Sequence, residues 1–221
     1  MKLNRVFVIN LMLVVGMLAL SIWTWWQLPP DAKVATHFNF DGTPSSYMDK
    51  TWGLFILPAI ALILVVTNRI IPNIEPNQNN IKRSQKAYTI FSLALIIFLS
   101  VVHGAMLLFA LGKTVDMPTI VILAVGILTI VLGNYLSKIR RNYSFGVRTP
   151  WTLSSDLAWH KTHRLASWLT VLHGIGLLVS GLRSHTILPI IVLISFAVTS
   201  VVILPIYSYI CWRSDDRRLA R

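Results

Sequence analysis

The side chains able to act as acids, bases or ligands are few in this chain and widely spaced. Asp156, His160 and His163 fall at helical spacing on a polar stretch, which places Asp156 with His160, and Trp159 with His163, on shared faces. Three such groups could hold a metal ion, but the same spacing is far commoner as the polar face of an interfacial helix. His103 and His173 sit inside apolar runs. A histidine there either hydrogen-bonds a neighbouring helix or forms a proton or ligand site, and two ligands are too few for zinc. His37 lies in a separate polar segment with Asp41 and Asp49, without a His or Cys at metal-ligand spacing. No nucleophile–base pair or carboxylate pair is evident, so no catalytic residue, metal, cofactor or enzymatic activity is expected.

Hydropathy sets the elements that must carry these groups. Only 13% of the 221 residues are charged and 55% are hydrophobic, with a mean hydropathy of +0.66. Soluble domains carry about 25% charged residues. The apolar residues come in blocks long enough to cross a hydrocarbon layer of ~30 Å at 1.5 Å per residue. The reading is an all-α membrane protein with six transmembrane helices, near 6–28, 52–71, 88–111, 118–136, 165–182 and 188–210. The first block is long for a signal core, lacks a small-x-small site and ends in Trp23, Trp25 and Trp26, so it reads as an uncleaved span with an interfacial belt. Cys211 is the only cysteine, which excludes an intrachain disulfide.

Charge sets the expected orientation. With the N-terminus inside, the inner segments hold sixteen Lys and Arg residues, Lys2, Arg217, Arg218 and Arg221 among them. The outer segments hold Lys33, Lys50, Lys113 and Arg183. Acids divide four and four, so the whole net charge of +12 falls on one side. Both termini are therefore expected in the cytoplasm of a multi-pass cell-membrane protein. The same asymmetry assigns the basic residues to anionic lipid headgroups rather than to nucleic acid.

Val101-Val102-His103-Gly104 resembles Val171-Leu172-His173-Gly174 at an offset of 70 residues, and Pro118 and Pro189 start the spans that follow. This suggests a parallel hairpin repeat of spans 3–4 and 5–6, with Gly104 and Gly174 allowing close packing. No lipid-core segment carries a Lys, Arg, Asp or Glu, which counts against a charge-driven transporter. A small-solute or proton-linked transporter using His103 and His173 stays as the alternative.

Two connections look ordered. In the outer segment 29–51, Val34 to Phe40 reads as extended, Asp41-Gly42 as a turn, and His37, Asn39 and Lys50 as surface donors. In the inner segment 137–164, Gly146 marks a backbone turn, and Thr149 before Pro150 is extended. Ser154 is the expected cap of a helix with Asp156 in its first turn. Arg148 offers a guanidinium fork to helix-end carbonyls or a lipid phosphate.

The stretch Phe145-Gly146-Val147-Arg148-Thr149-Pro150-Trp151-Thr152-Leu153-Ser154-Ser155, followed by Trp159-x-Lys161-Thr162-His163-Arg164, closely resembles the signature of the SdpI family of membrane immunity proteins. Asn142 opens the same stretch. The outer segment, with Leu28-Pro29, His37-Phe38-Asn39, Gly42 and Lys50, resembles a small module that often precedes it. One departure is Ala166-Ser167, where many relatives have glycine. The resemblance implies an N-terminal hairpin module over 1–71 and an SdpI-like four-helix domain over 72–221. It implies immunity against a secreted antimicrobial peptide of the sporulation-delaying type, with His37, Asn39, Gly42 and Lys50 as the candidate outer contact. It further implies a relay to a cytoplasmic transcriptional repressor, through the inner-loop signature Asn142, Gly146, Arg148, Thr149, Pro150, Thr152, Trp159, Lys161, Thr162, His163 and Arg164.

Overall fold

The structure is a computed structural model, described here over residues 5–182 and 187–216. Lys2, Arg183, Arg217, Arg218 and Arg221, which entered the charge count, lie outside the described residues. The long helices are α1 (Arg5–Gln27), α2 (Lys50–Ile74), α4 (Gln85–Ala110), α5 (Met117–Leu136) and α7 (Asp156–Gly181). Short helices α3 (Gln78–Arg83) and α6 (Pro150–Ser154) sit in connections. The last segment comprises α8 (Leu188–Val198), a π turn over Thr199–Ile203 and α9 (Leu204–Arg213). Counting Leu188–Arg213 as one, six helices among the described residues are long and apolar enough to cross a membrane.

The π turn has a local cause. Pro205 has no N–H and cannot continue the i→i−4 ladder, and the Leu204 N–H reaches five residues back, to the Thr199 carbonyl. Helix α7 begins at Asp156, close to the expected start, and runs on into the span expected from 165.

Spans α1, α2 and α4 share a core of Val14, Met17, Ala61, Val65, Ile96 and Leu99. Asn10 crosses it by donating to Ser92 Oγ at 2.8 Å. Helices α5 and α7 meet backbone to backbone. A Cβ on Gly174 would lie 2.8 Å from the Gly126 carbonyl oxygen, and one on Gly133 would lie 2.9 Å from the Val171 nitrogen. Lipid offers no hydrophobic drive between helices, so this approach must rest on packing and hydrogen bonds. Ser167 supplies one such bond, donating to the Gly133 carbonyl at 2.6 Å. At the departure noted above, Ala166 is fully buried and Ser167 partly so.

Gly104 corrects an expectation. Nothing lies within 4 Å of a Cβ built there, so it is not a packing glycine, whereas Gly174 is. Whatever ancestry the hairpins share, the two glycines have different surroundings.

Candidate functional site

The inner loop folds around the first turns of α7. Thr149 is extended, as the following Pro150 requires, and caps α6 through a reciprocal Thr149–Thr152 pair. Its hydroxyl also meets Ser208 Oγ of α9 at 2.9 Å. Thr152 Oγ1 donates to the Val147 carbonyl at 2.8 Å. Ser155, not Ser154, caps α7 by accepting the Ala158 N–H at 3.0 Å. The expected cap is displaced by one position because Ser154 ends the separate helix α6. The Ser155 hydroxyl donates to Asp215, which ties the cap to the end of α9.

Trp159 and His163 lie at the centre of this cluster, both fully buried and stacked with centroids 4.0 Å apart. Trp159 Nε1 donates to the Ile139 carbonyl just past α5, at 2.8 Å. His163 Nε2 accepts the Val147 N–H at 3.0 Å, so the ring carries its proton on Nδ1, 2.8 Å from the Trp159 carbonyl. The loop reaches this ring only because Gly146 adopts φ +112°, and a Cβ there would lie 2.5 Å from His163 Nε2. Asn142 is buried, and its Oδ1 accepts the Ser144 and Phe145 N–H groups, both at 2.8 Å.

Among the described residues no three-ligand metal cluster occurs, and the Asp156–His160–His163 stripe does not converge. His163 turns inward, and Asp156 pairs with Arg141 at 3.0 Å. Arg148 is exposed and donates to the Tyr143 carbonyl, which lies within the loop and not at a helix end. Thr162 is buried in α7, while Lys161 and Arg164 are exposed.

The outer segment is a two-stranded hairpin, β1 (Lys33–Phe38) and β2 (Pro44–Asp49). The turn lies at Asp41-Gly42 as expected, with Gly42 at φ +84°. Strand β2 was not foreseen, since Pro44-Ser45-Ser46 has little apolar alternation. Val34 presses on Gly53 at the start of α2, and Phe38 meets Phe109 of α4 edge-on at 4.9 Å.

Lys50 is a correction. It is not a surface donor: it is only 6% exposed, and its Nζ donates to the carbonyls of Trp25 and Leu28 at 3.1 and 3.0 Å. The ammonium also lies 4.1 Å from the centroid of the Trp25 ring. A cation on the free carbonyls at a helix C-terminus complements both the dipole and the missing hydrogen bonds. Lys50→Met keeps the stem and removes the charge, and is expected to cost about 2 kcal/mol. A lowered midpoint of thermal unfolding in detergent checks this; an unchanged midpoint contradicts it. Asn39 donates to Thr43 Oγ1 at 2.9 Å, so it and Gly42 build the turn. Of the four outer candidates, His37 stays exposed without a turn or capping role, its Nδ1 3.3 Å from Thr36 Oγ1.

Residues 138–209 match the SdpI/YfhL protein family, and residues 12–62 match a domain of unknown function, DUF1648. The chain is 30% identical over 195 residues to the immunity protein SdpI of Bacillus subtilis (strain 168), covering 86% of this chain and 89% of that protein. The chain belongs to the SdpI family. No solved structure matches it.

The SdpI match thus begins at the inner loop and runs through α7, α8 and most of α9. The two histidines within the spans, His103 and His173, have separate surroundings. His103 Nε2 lies 3.0 Å from Ser21 Oγ and 3.3 Å from the Met17 carbonyl on α1. Ser21 donates onward to the Leu54 carbonyl of α2 at 2.8 Å. His173 spans from the Leu169 carbonyl at 2.6 Å to Ser195 Oγ of α8 at 3.1 Å. Each links neighbouring helices, and the pair forms no mutual contact, so the transport alternative gains nothing from this geometry.

The SdpI inner loop also uses a residue that sequence reasoning passed over. Glu75, at the end of α2, is 3% exposed and accepts the Tyr143 N–H at 3.0 Å, the Asn77 N–H at 3.2 Å and the Ser144 hydroxyl. The only signal was an acid in an otherwise basic inner segment.

Proposed function

We propose that this chain is a membrane immunity protein that protects its cell from a secreted antimicrobial peptide. The observation that carries this reading is the relation to the Bacillus subtilis immunity protein over nearly the whole chain. The charge asymmetry supports placing both termini in the cytoplasm, with the hairpin 33–49 outside. That hairpin and the adjoining helix ends present Phe40, Tyr47, Trp26 and Trp52, all at least half exposed, beside His37. Such a face suits an amphipathic peptide that collects at the membrane surface, since aromatic rings favour the boundary between headgroups and water. Capture or shielding needs no bond to be made or broken, so the reading is non-enzymatic.

The finer assignments rest on this reading. The N-terminal unit 1–71 carries the outer contact, and 72–221 carries the inner loop. A cleft of about 1130 Å³ opens beside that loop, lined in part by Arg141, Tyr143, Asp156, Trp212 and Asp216. It is the natural contact for a soluble repressor, should the relay operate in this protein.

A killing assay tests the proposal. A sensitive bacterium expressing the chain is expected to survive secreted antimicrobial peptides that kill the parent. Replacing His37 and Tyr47 together by alanine is expected to raise killing about tenfold at an unchanged membrane level, as for loss of an interface anchor. Equal killing with and without the chain, across the peptides of the strain that encodes it, would refute immunity. Protection unaffected by the double replacement would move the contact away from the hairpin.

A further inference from the structure

Beside the face of α7 that carries Trp159 and His163 lies a second cleft, of about 420 Å³, bounded by Ser137, His160, Arg164, Ser167 and Trp168. A water molecule takes about 30 Å³, so the space exceeds a hydration pocket many times over. His160, Arg164 and Trp168 stand one turn apart on α7 and form a single stripe. Ser137 follows α5, which packs along the same helix.

The order along the stripe is what points to a ligand. Arg164 is the last charged residue before an uncharged stretch running from Leu165 to Leu182, so it marks where α7 enters the bilayer. One turn deeper, Trp168 is 71% exposed, a large indole laid open at the depth of the headgroup boundary. Arg164 is exposed, and among the described residues its guanidinium makes no hydrogen bond or ion pair. The surroundings are strongly positive: residues 137–164 contain six Lys and Arg residues and one acid, Asp156, which pairs with Arg141.

We propose that this cleft binds the headgroup of an anionic phospholipid, with the phosphodiester on the Arg164 guanidinium and the glycerol region against the Trp168 indole. The guanidinium fork matches two phosphate oxygens, and the His160 ring and the Ser137 hydroxyl bring further donor groups to the rim. A free phosphate would share the Arg164 contact. It would gain nothing from an apolar ring set deeper than the charge, and the stripe favours lipid for that reason. The assignment requires only that the Arg164 end of α7 reach a membrane boundary. It does not depend on the immunity reading.

Native mass spectrometry of the full chain in neutral detergent, titrated with phosphatidylglycerol or phosphatidylcholine, tests the assignment. Phosphatidylglycerol is expected to be retained in preference, and Arg164→Gln is expected to weaken its retention about tenfold, as for loss of a charge-assisted hydrogen bond. Arg140→Gln, which removes the same charge from an exposed position outside the cleft, is expected to leave retention unchanged. Equal losses in the two variants would overturn the site in favour of diffuse charge attraction. Displacement of the lipid by millimolar inorganic phosphate would overturn it in favour of a free-anion site. Should Arg164→Gln fail to fold, Trp168→Leu decides: weaker phosphatidylglycerol retention supports the site, and unchanged retention refutes it.

Discussion

Replacing Glu75 by alanine is expected to destabilise the folded protein by about 1–3 kcal/mol, because it leaves three part-buried donors without their shared acceptor. The carboxylate is the point at which the end of α2 grips the inner loop, through Tyr143 and Ser144. The carboxylate itself is buried, with Glu75 only 3% exposed, and it gathers all three donors at one point. Glu75→Gln keeps the shape and one acceptor oxygen, and its amide can donate to Ser144 Oγ, so a loss of less than half as much is expected. Thermal unfolding in detergent, with limited proteolysis of the loop 137–155, measures both. Alanine and glutamine variants of equal midpoint would show that the carboxylate carries no such load. The variant also separates two activities. Any Glu75→Ala protein that still reaches the membrane should keep peptide protection if the contact is the outer hairpin, while losing whatever the inner loop communicates.

The second large effect is expected at Gly146. A Cβ there meets two penalties at once. The backbone sits at φ +112°, where L side chains are strained, and the new carbon would lie 2.5 Å from His163 Nε2. Neither neighbour can yield cheaply, because the His163 ring is stacked on Trp159 and held at both nitrogens. Gly146→Ala is expected to cost about 2–4 kcal/mol, and the loop should detach from α7 before the spans unfold. Hydrogen exchange at the Val147 amide is the direct readout. The bond from Val147 N–H to His163 is the first to be lost, so protection there should fall while α5 and α7 stay protected. His163→Ala removes the clash as well as the acceptor. Gly146→Ala combined with His163→Ala should therefore cost less than the sum of the two. Strict additivity would show that the two residues do not act on each other.

The errors in the sequence reading share one origin. The expected cap Ser154 and the actual cap Ser155 differ by one position, and both are competent cap residues. Only the fold of the preceding turn into α6 decides between them. Lys50 looked like an exposed donor because lysine at a loop end usually is one. Its burial depends on α1 ending where its carbonyls face the start of α2, a relation across 25 residues of sequence. Glu75 reaches its partners across 68 and 69 residues, and no local pattern encodes that distance.

Hydropathy determined the six apolar helices, because a block of about 20 apolar residues has one favourable state in a bilayer whatever surrounds it. Local chemistry determined the turns at Asp41-Gly42 and Gly146 and the extended Thr149, since φ preferences and proline sterics act within one or two residues. The inner-loop motif was legible as a unit from its spelling alone. Its workings were not. That His163 accepts from Val147, that Trp159 closes the end of α5, that Glu75 and Asp215 hold the loop from two other helices, and that His103 and His173 serve separate helix contacts were decided only by tertiary packing. A hydrogen bond is directional and short, so its partner is chosen by where distant segments come to rest in space.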